Sequence, residues 1–522
     1  MGQDNARARK SIKNAVVTTS YYLILLVLGF FSRKVFFDYL GSEVLGLSTT
    51  AQDLLGVLNL SELGIGSAVA YLLYKPLFQK NHEKIKEIIT VEGWLYSKIA
   101  FFMLGAACIL MCFFPMIFSK TDLPLSYAYI VFLVFLAGSL MSYFFNYRMI
   151  LLSADQKQYK VVRVNQGLEA IKIILQMVTI TFSSHPFFWW IGLEFAARLT
   201  GTICLDKVIK REYPWLELNL KSGAKFNKAN PEIIANTKKI FFHKISGVVL
   251  ASSSSPILYA FTSLTTVAFY GNYQLILKKI SALIKNLFNS TSAAVGDLVA
   301  EGNKQSIMRV FWELFDSRLL VASIIIICSY YLTQPFISAW LSPDYLLSGK
   351  FLLIYLIMQG ILMTRETVDS FILAHGMFQD IWAPIVEASL NIGLSILFGH
   401  FWGLEGIILG VTVSLVLIVE IWKPFFLFRT GFKENPLPYF IKVAGRLVVI
   451  VAVGFIAGKI VPLLPMFAEA SSSFLKWAVL AVETTCLVSL LIIPPFLVFS
   501  KGTRNFAKRM ASIITSRGSS RT

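Results

Sequence analysis

Residues 265–303 read TTVAFYGNYQLILKKISALIKNLFNSTSAAVGDLVAEGN. Gln274, Lys278, Ser281, Lys285, Asn289, Ser292 and Gly296 recur at steps of three or four, and the positions between them are mostly Leu, Ile, Val, Ala and Phe. That spacing places them on one face of a single long helix. In a membrane, an ionisable stripe has to face a bundle interior or a water-filled cavity, because exposure to lipid is too costly. The stretch therefore predicts a helix that lines the path of an anionic substrate.

The rest of the chain supplies the membrane. Of its 522 residues, 56% are hydrophobic, and the mean hydropathy is +0.66. A soluble domain of this size is less apolar. Apolar segments of about 20 residues recur along the whole length, which predicts an all-α polytopic membrane protein with about fourteen spans. The first two are placed roughly at 15–37 and 44–73, the seventh and eighth at 240–262 and 265–298, and the last two at 439–461 and 474–499. The first segment follows a basic head (Arg7, Arg9, Lys10, Lys13) without an obvious cleavage site, and is read as a retained helix.

The formal net charge is +18. Its positives lie between spans, as membrane topology requires, so a nucleic-acid partner is not expected. Basic loops alternate with poorly charged ones. The N-terminal head, Lys75 to Lys86, Lys157 to Arg163, the connector from Lys207 to Lys239, and the tail from Lys501 all fall on one side. Both termini are therefore expected in the cytoplasm. The five cysteines sit in apolar spans, without metal spacing or a likely disulfide framework.

A shift of about 222 positions reveals an internal repeat. Gln52 falls on Gln274, Val44-Leu45-Gly46 on Thr266-Val267-Ala268, and Asn81 on Asn303. The expected organisation is an N-terminal lobe (1–206), a basic cytoplasmic connector (207–239), a C-terminal lobe (240–430), two further helices (431–499) and a basic cytoplasmic tail (500–522). Six spans per lobe give both lobes the same orientation. Parallel repeats of this kind place a substrate site near the midplane, with rocking of the halves giving alternating access.

No metalloprotease, P-loop, nucleophile-elbow or paired-cysteine signature occurs, so an enzyme is not expected. Lys278 and Lys285 are seven residues apart, two turns along one face. Either they line a cavity or they snorkel to an interface. Lys285, about 20 residues into its span, is poorly placed for the second option, whereas Lys278 and Lys279 lie closer to the outer end. In the second span Gln52, Asn59, Glu62 and Gly66 form a milder polar stripe beside Asp53. It reads either as the repeat-related wall of the same chamber or as interhelical hydrogen bonding aided by Gly56 and Gly64. Arg33 and Lys34, late in the first span, are interface anchors or cavity cations. Ser252 to Ser255 followed by Pro256 predicts a bend, either a hinge or a static kink. Arg365 with Asp369, Glu169 with Lys172, and Glu194 with Arg198 have the spacing of structural ion pairs.

Buried Lys and Arg can replace the water of a phosphate or diphosphate with charge-assisted hydrogen bonds. Sugars need polar side chains and aromatic faces, and a lipid tail needs an apolar slot. The last two spans, outside the repeat, are placed to border such a slot.

Several stretches carry a family resemblance. These are Phe31-Ser32-Arg33, Tyr39-Leu40-Gly41, Leu45-Gly46-Leu47, Leu60-Ser61-Glu62-Leu63-Gly64-Ile65-Gly66-Ser67-Ala68, Val267-Ala268-Phe269-Tyr270 and Gly403-Leu404-Glu405-Gly406. In that order the chain resembles the polysaccharide and O-antigen flippases of the multidrug/oligosaccharidyl-lipid/polysaccharide (MOP) exporter superfamily. The resemblance implies two six-helix lobes around a cationic cavity. It also implies movement of undecaprenyl-diphosphate-linked oligosaccharide, an O-antigen or capsule repeat unit, from the cytoplasmic to the periplasmic leaflet of a bacterial inner membrane. Arg33, Lys278 and Lys285 are then expected at the diphosphate, and Gln52, Asn59, Gln274, Ser281 and Asn289 at sugar or water. Asp53 or Glu62 would couple the cycle to Na+ or H+, with no other cofactor. Membrane lipids and polysaccharide polymerase or assembly proteins are the expected partners. Drug-exporting relatives use carboxylates in the N-terminal lobe for cation coupling. The first span has none before Asp38, which argues against that branch, although a multidrug or metabolite cation antiporter of the same superfamily is the alternative.

Overall fold

The computed structural model describes residues 2–62, 64–289, 291–377 and 379–509. Among them the secondary structure is helical throughout. The main helices are α1 (Gly2–Leu58), α2 (Ile65–Phe78), α3 (His82–Cys112), α4 (Leu125–Phe144), α5 (Gln158–Phe182), α6 (Pro186–Glu212), α7 (Glu232–Ser252), α8 (Ser254–Phe261), α9 (Leu264–Asn289), α10 (Thr291–Glu301), α11 (Lys304–Trp340), α12 (Gly349–Ala374), α13 (Trp382–Leu415), α14 (Leu437–Ile460) and α15 (Phe474–Phe499). Contacts group them into two compact units, residues 1–268 and 269–522.

Glycines set the breaks. The first two expected spans are one merged helix, α1, interrupted only at Gly41 (φ 79°), a left-handed conformation that favours a residue without Cβ. The second expected span does not run unbroken to 73. It turns into a 3₁₀ segment at Asn59–Glu62 and then passes through Gly64 at φ 96°. A Cβ there would lie 2.8 Å from the Thr237 carbonyl oxygen, so the turn needs glycine for space as well as for conformation. In the second unit α13 reverses at Gly403 (φ 56°). A Cβ on Gly406 would meet the Phe398 carbonyl oxygen at 2.0 Å, and one on Gly410 the Ser395 nitrogen at 2.4 Å. The two arms are thus antiparallel and in close backbone contact, with Ser395 Oγ donating to the Ile407 carbonyl at 3.1 Å.

In the first unit α5 packs on α1 and α6, α4 on α1 and α6, and α2 on α3. Helices α7 and α8 also pack on α1. A Cβ on Gly46 would collide with the Leu264 carbonyl oxygen at 1.9 Å, and one on Gly56 with Ser252 Oγ at 2.3 Å. Small residues let the backbones approach. Contacts therefore group residues 232–268 with the first unit, past the connector at 207–239. The serine-proline stretch bends as its sequence predicts, with α7 ending at Ser252 and α8 starting at Ser254. In the second unit α11 packs on α12 and α15, α12 on α13, and α14 on α15. Phe311, Phe371, Phe428 and Tyr439 form its buried aromatic centre.

The repeat is visible in local structure. Lys80 (φ 53°) precedes Asn81, whose side chain accepts from Lys84 N at 3.0 Å and caps α3. Gly302 (φ 75°) precedes Asn303, whose side chain accepts from Ser306 N at 3.1 Å and caps α11. Gln156 and Gly376 are likewise left-handed. They lie within matched helix-ending turns, in which Lys157 N reaches Leu152 O at 2.7 Å and Met377 N reaches Ile372 O at 3.1 Å.

Seven helical stretches among the described residues are long and apolar enough to cross a membrane. One, Trp382–Phe432, contains the hairpin at Gly403. This count is below fourteen in part because α5 and α6 carry ionic groups within apolar helices. Lys172 Nζ lies 2.7 Å from both Glu169 and Glu194, and Arg198 holds Glu194 at 2.7 Å. Exposed Val448, Val451 and Phe455 on α14 are the lipid-facing surface such a protein needs.

Candidate functional site

In the first unit the candidate features are Arg33 and a polar cluster around Asn59 and Glu62. Arg33 lies on α1, where its Nη2 donates to the Ala268 carbonyl at 3.0 Å and its guanidinium carbon sits 5.5 Å from the Phe37 ring centre. A carbonyl and an aromatic face both suit a positive guanidinium. One helical stretch further, Gln52 is exposed and donates to Ser48 Oγ at 3.3 Å, while Asp53 is half-buried.

The 3₁₀ segment at the end of α1 holds the cluster. Tyr143 OH donates to Asn59 Oδ1 at 2.7 Å, and Tyr96 OH lies 3.5 Å from Glu62 Oε1. The two phenol rings stack with centres 5.5 Å apart. Glu92 on α3 is 1% exposed, and its Oε2 has no hydrogen-bond partner among the described residues. Two carboxylates, two phenols and an amide therefore gather where backbone irregularity interrupts α1. The spacing found Asn59 and Glu62 but missed Glu92, Tyr96 and Tyr143. A lone glutamate inside the apolar run Ile88-Ile89-Thr90-Val91-Glu92 is the signal that would have found the first.

In the second unit α9 presents two faces. Tyr273 and Leu277 are buried, whereas Gln274 is half-buried and Lys278 exposed. Ser281 Oγ lies 2.8 Å from the Leu277 carbonyl and 3.0 Å from Oε1 of the buried Gln359. The side chains of Lys285, Asn289 and Ser292 lie outside the described residues, as does residue 290. The stretch expected as one helix is described as two, α9 and α10, either side of that residue.

Other flagged charges are structural pairs. Arg365 reaches Asp369 at 3.1 Å, Lys423 reaches the same carboxylate at 2.6 Å, and Glu387 lies 3.6 Å from Arg365. Arg148 pairs with Asp206.

No protein-family model matches the sequence, and no curated protein matches it. Solved structures do. The chain superposes on a lipid II flippase, MurJ, in an inward closed conformation with a TM-score of 0.63 at 15% identity, covering 92% of this chain and all (100%) of that one. It superposes on an inward-facing multidrug-resistance MATE family transporter of the MOP superfamily with a TM-score of 0.60 at 12% identity, covering 80% of this chain and 99% of that one. An outward-facing MATE family transporter gives 0.56 at 12% identity, over 82% and 97%.

The fold is that of the MOP-type transporters.

At 12–15% identity the likeness is one of fold alone. It gives a multi-pass helical membrane protein.

Proposed function

We propose that this MOP-type protein flips an undecaprenyl-diphosphate-linked oligosaccharide, an O-antigen or capsule repeat unit, across the bacterial inner membrane by alternating access. The observation that carries this reading is Arg33, a guanidinium kept within an apolar helix by a carbonyl and a phenyl ring. A half-buried guanidinium attracts phosphate more strongly than one in open water. In this reading Arg33 in the first unit and Lys278 and Lys285 in the second bind the diphosphate. Gln52, Asn59, Gln274, Ser281 and Asn289 contact sugar or water. The superposition with the lipid II flippase spans more of the chain than those with the multidrug transporters, 92% against 80% and 82%, which favours a lipid-linked cargo. Both termini are cytoplasmic, and the partners are membrane lipids and polysaccharide polymerase or assembly proteins.

The test is complementation of a strain lacking its own repeat-unit flippase. Wild-type protein restores surface glycan. Lys285→Ala and Arg33→Gln abolish it at unchanged protein level, and full glycan output from both variants would refute the assignment.

A specific observation favours a second reading. Glu62 and Glu92, beside Tyr96 and Tyr143, suit a cation better than an anion. In the flippase this cluster serves a coupling ion, Na+ or H+, with Glu62 or Asp53 as its ligand. In a multidrug or metabolite antiporter it would serve the cargo as well. Expression in a drug-sensitive strain separates the two, since only the antiporter raises resistance to cationic drugs.

A further inference from the structure

The second unit contains a cavity of about 820 Å³ that the transport reading does not use. Its walls come from the first turns of α11, the first half of α14, the last turn of α15 and the helical segment 501–509 that follows it. Four cations line it, Arg309, Lys442, Arg446 and Lys501, against one carboxylate, Asp316, a formal balance of 4 − 1 = +3.

The carboxylate is already engaged. Arg446 Nε lies 2.7 Å from Asp316 Oδ1, Arg446 Nη2 donates to Oδ2 at 2.9 Å, and Ser500 Oγ bonds the same oxygen. Gly502 brings the helical segment after α15 into this contact, since a Cβ there would lie 2.4 Å from Asp316 Oδ2. Arg309, Lys442 and Lys501 are exposed at the rim. Lys442 Nζ lies 4.9 Å and the Arg446 guanidinium carbon 4.5 Å from the Trp312 ring centre, so both charges converge above one indole. Arg446 Nη1 is buried without a hydrogen-bond partner among the described residues. A buried guanidinium nitrogen without an acceptor is uncommon, and marks where an acceptor belongs.

The remaining walls are apolar: Val449, Pro495, Phe496 and Phe499. They continue onto the exposed aliphatic face of α14 at Val448 and Val451. The cavity is therefore cationic at one end and hydrocarbon-like at the other, in a protein that lies in a bilayer. A free phosphate accounts for the charge but not for the apolar wall. A zwitterionic lipid accounts for the wall but brings no net charge to match the surplus cations.

We propose that this cavity binds one anionic phospholipid. Its phosphate is held by Arg446, Lys442, Arg309 and Lys501, and its acyl chain runs along Val449, Pro495 and Phe499. The lipid clamps α14 and α15 to α11. This site uses none of the side chains assigned to the diphosphate, sugar or coupling ion, although it lies on α14 and α15, the two helices expected to border a lipid-tail slot.

Trp312 is a local reporter. The full chain is reconstituted into phosphatidylcholine vesicles containing either brominated phosphatidylglycerol or brominated phosphatidylcholine. The quenching due to Trp312 is taken as the difference between wild type and Trp312→Phe. The anionic lipid is expected to associate about fivefold or more tightly than the zwitterionic one, the scale of a single cation at a charged membrane. The double variant Lys442→Gln/Lys501→Gln removes two exposed charges, leaves the Arg446–Asp316 pair and Arg309 in place, and is expected to lower the ratio several-fold with unchanged thermal stability in phosphatidylcholine alone. Equal quenching by both lipids in the wild type would overturn the proposal, as would an unchanged ratio in the variant. Loss of the preference on adding inorganic phosphate, but not sodium chloride of equal ionic strength, would assign the cavity to a soluble anion and overturn the lipid as well.

Discussion

Lys172 shows how far single residues can be read. The spacing pairs Glu169 with Lys172 and Glu194 with Arg198, each within its own helix, and both pairs are present. What spacing cannot give is the 2.7 Å bond from Lys172 to Glu194, which joins α5 to α6. That contact depends on how two helices pack, and nothing local encodes it. Both side chains of the joining pair are only 9% exposed. Removing one member leaves a buried charge unmatched, whereas replacing both with apolar groups does not. Glu194→Gln is therefore expected to destabilise the protein by roughly 3–5 kcal/mol. Lys172→Met/Glu194→Leu should recover much of that loss, with Arg198 left free to turn outward. Thermal unfolding in detergent distinguishes the cases, and a double variant less stable than the single one would contradict the account. Glu92 escaped notice for the opposite reason. It has no oppositely charged residue three or four positions away on its helix, so no pattern drew attention to it.

At the level of elements, residue type forecasts breaks and caps better than it forecasts lengths. Asn81 and Asn303, matched by the repeat, both cap the helix that follows and both come after a left-handed residue. Their function follows from chemistry that any aligned pair would reveal, a short acceptor before a helix start. Asn81→Ala and Asn303→Ala should each cost about 1 kcal/mol, while Asp at either position should cost much less. Thermal midpoints of the two single variants and the double variant test this, with additive losses expected because the caps share no partners. The 3₁₀ break at Asn59–Glu62 was not legible, because it depends on Gly64 passing beside the Thr237 carbonyl of another helix.

The end of α6, beyond the expected span, adds a pH response. Glu212 is held below the usual carboxylate range by Lys160, against opposing burial, with Lys157 assisting. Burial would lower the Lys157 value, but Asp155 and Glu212 outweigh it and raise the ammonium above its ordinary range. A depressed carboxylate adds stability above its unfolded value, and that stability is lost as pH falls through the folded value. A raised ammonium adds stability below its ordinary range, and that is lost only as pH rises through the folded value. Acidification from neutrality to about pH 3 should therefore loosen this corner through Glu212, while Lys157 stays charged. Hydrogen exchange of amides 155–160 and 207–213 should rise over that interval in the wild type and much less in Glu212→Gln. Equal acid sensitivity in both would remove Glu212 as the cause.

The whole molecule was legible as a class. Hydropathy gave a helical membrane protein, the loose motifs gave the MOP-type resemblance, and the superpositions agree with that fold. Grouping of the helices was less legible. Spacing places the midpoint of the repeat in the connector at 207–239, whereas contacts divide the chain between Ala268 and Phe269. A repeat records ancestry along the chain, but contacts record which glycines and serines let α7 and α8 approach α1. The proposed cycle makes one demand on the molecule as a whole. A gradient can drive a flippase only if an ion binds one state better than the other. The Glu62–Glu92 cluster is the candidate, because Glu92 is buried with one oxygen that has no hydrogen-bond partner among the described residues, and such a carboxylate gains much from a bound proton or Na+. In proteoliposomes, transport of a lipid-linked oligosaccharide by the wild type should accelerate under an imposed proton or sodium gradient. Glu62→Gln and Glu92→Gln should transport at the ungraded rate whichever gradient is applied, while still binding substrate. If the wild type ignores both gradients, the cluster does not couple transport, and the carboxylates have to be explained by packing alone.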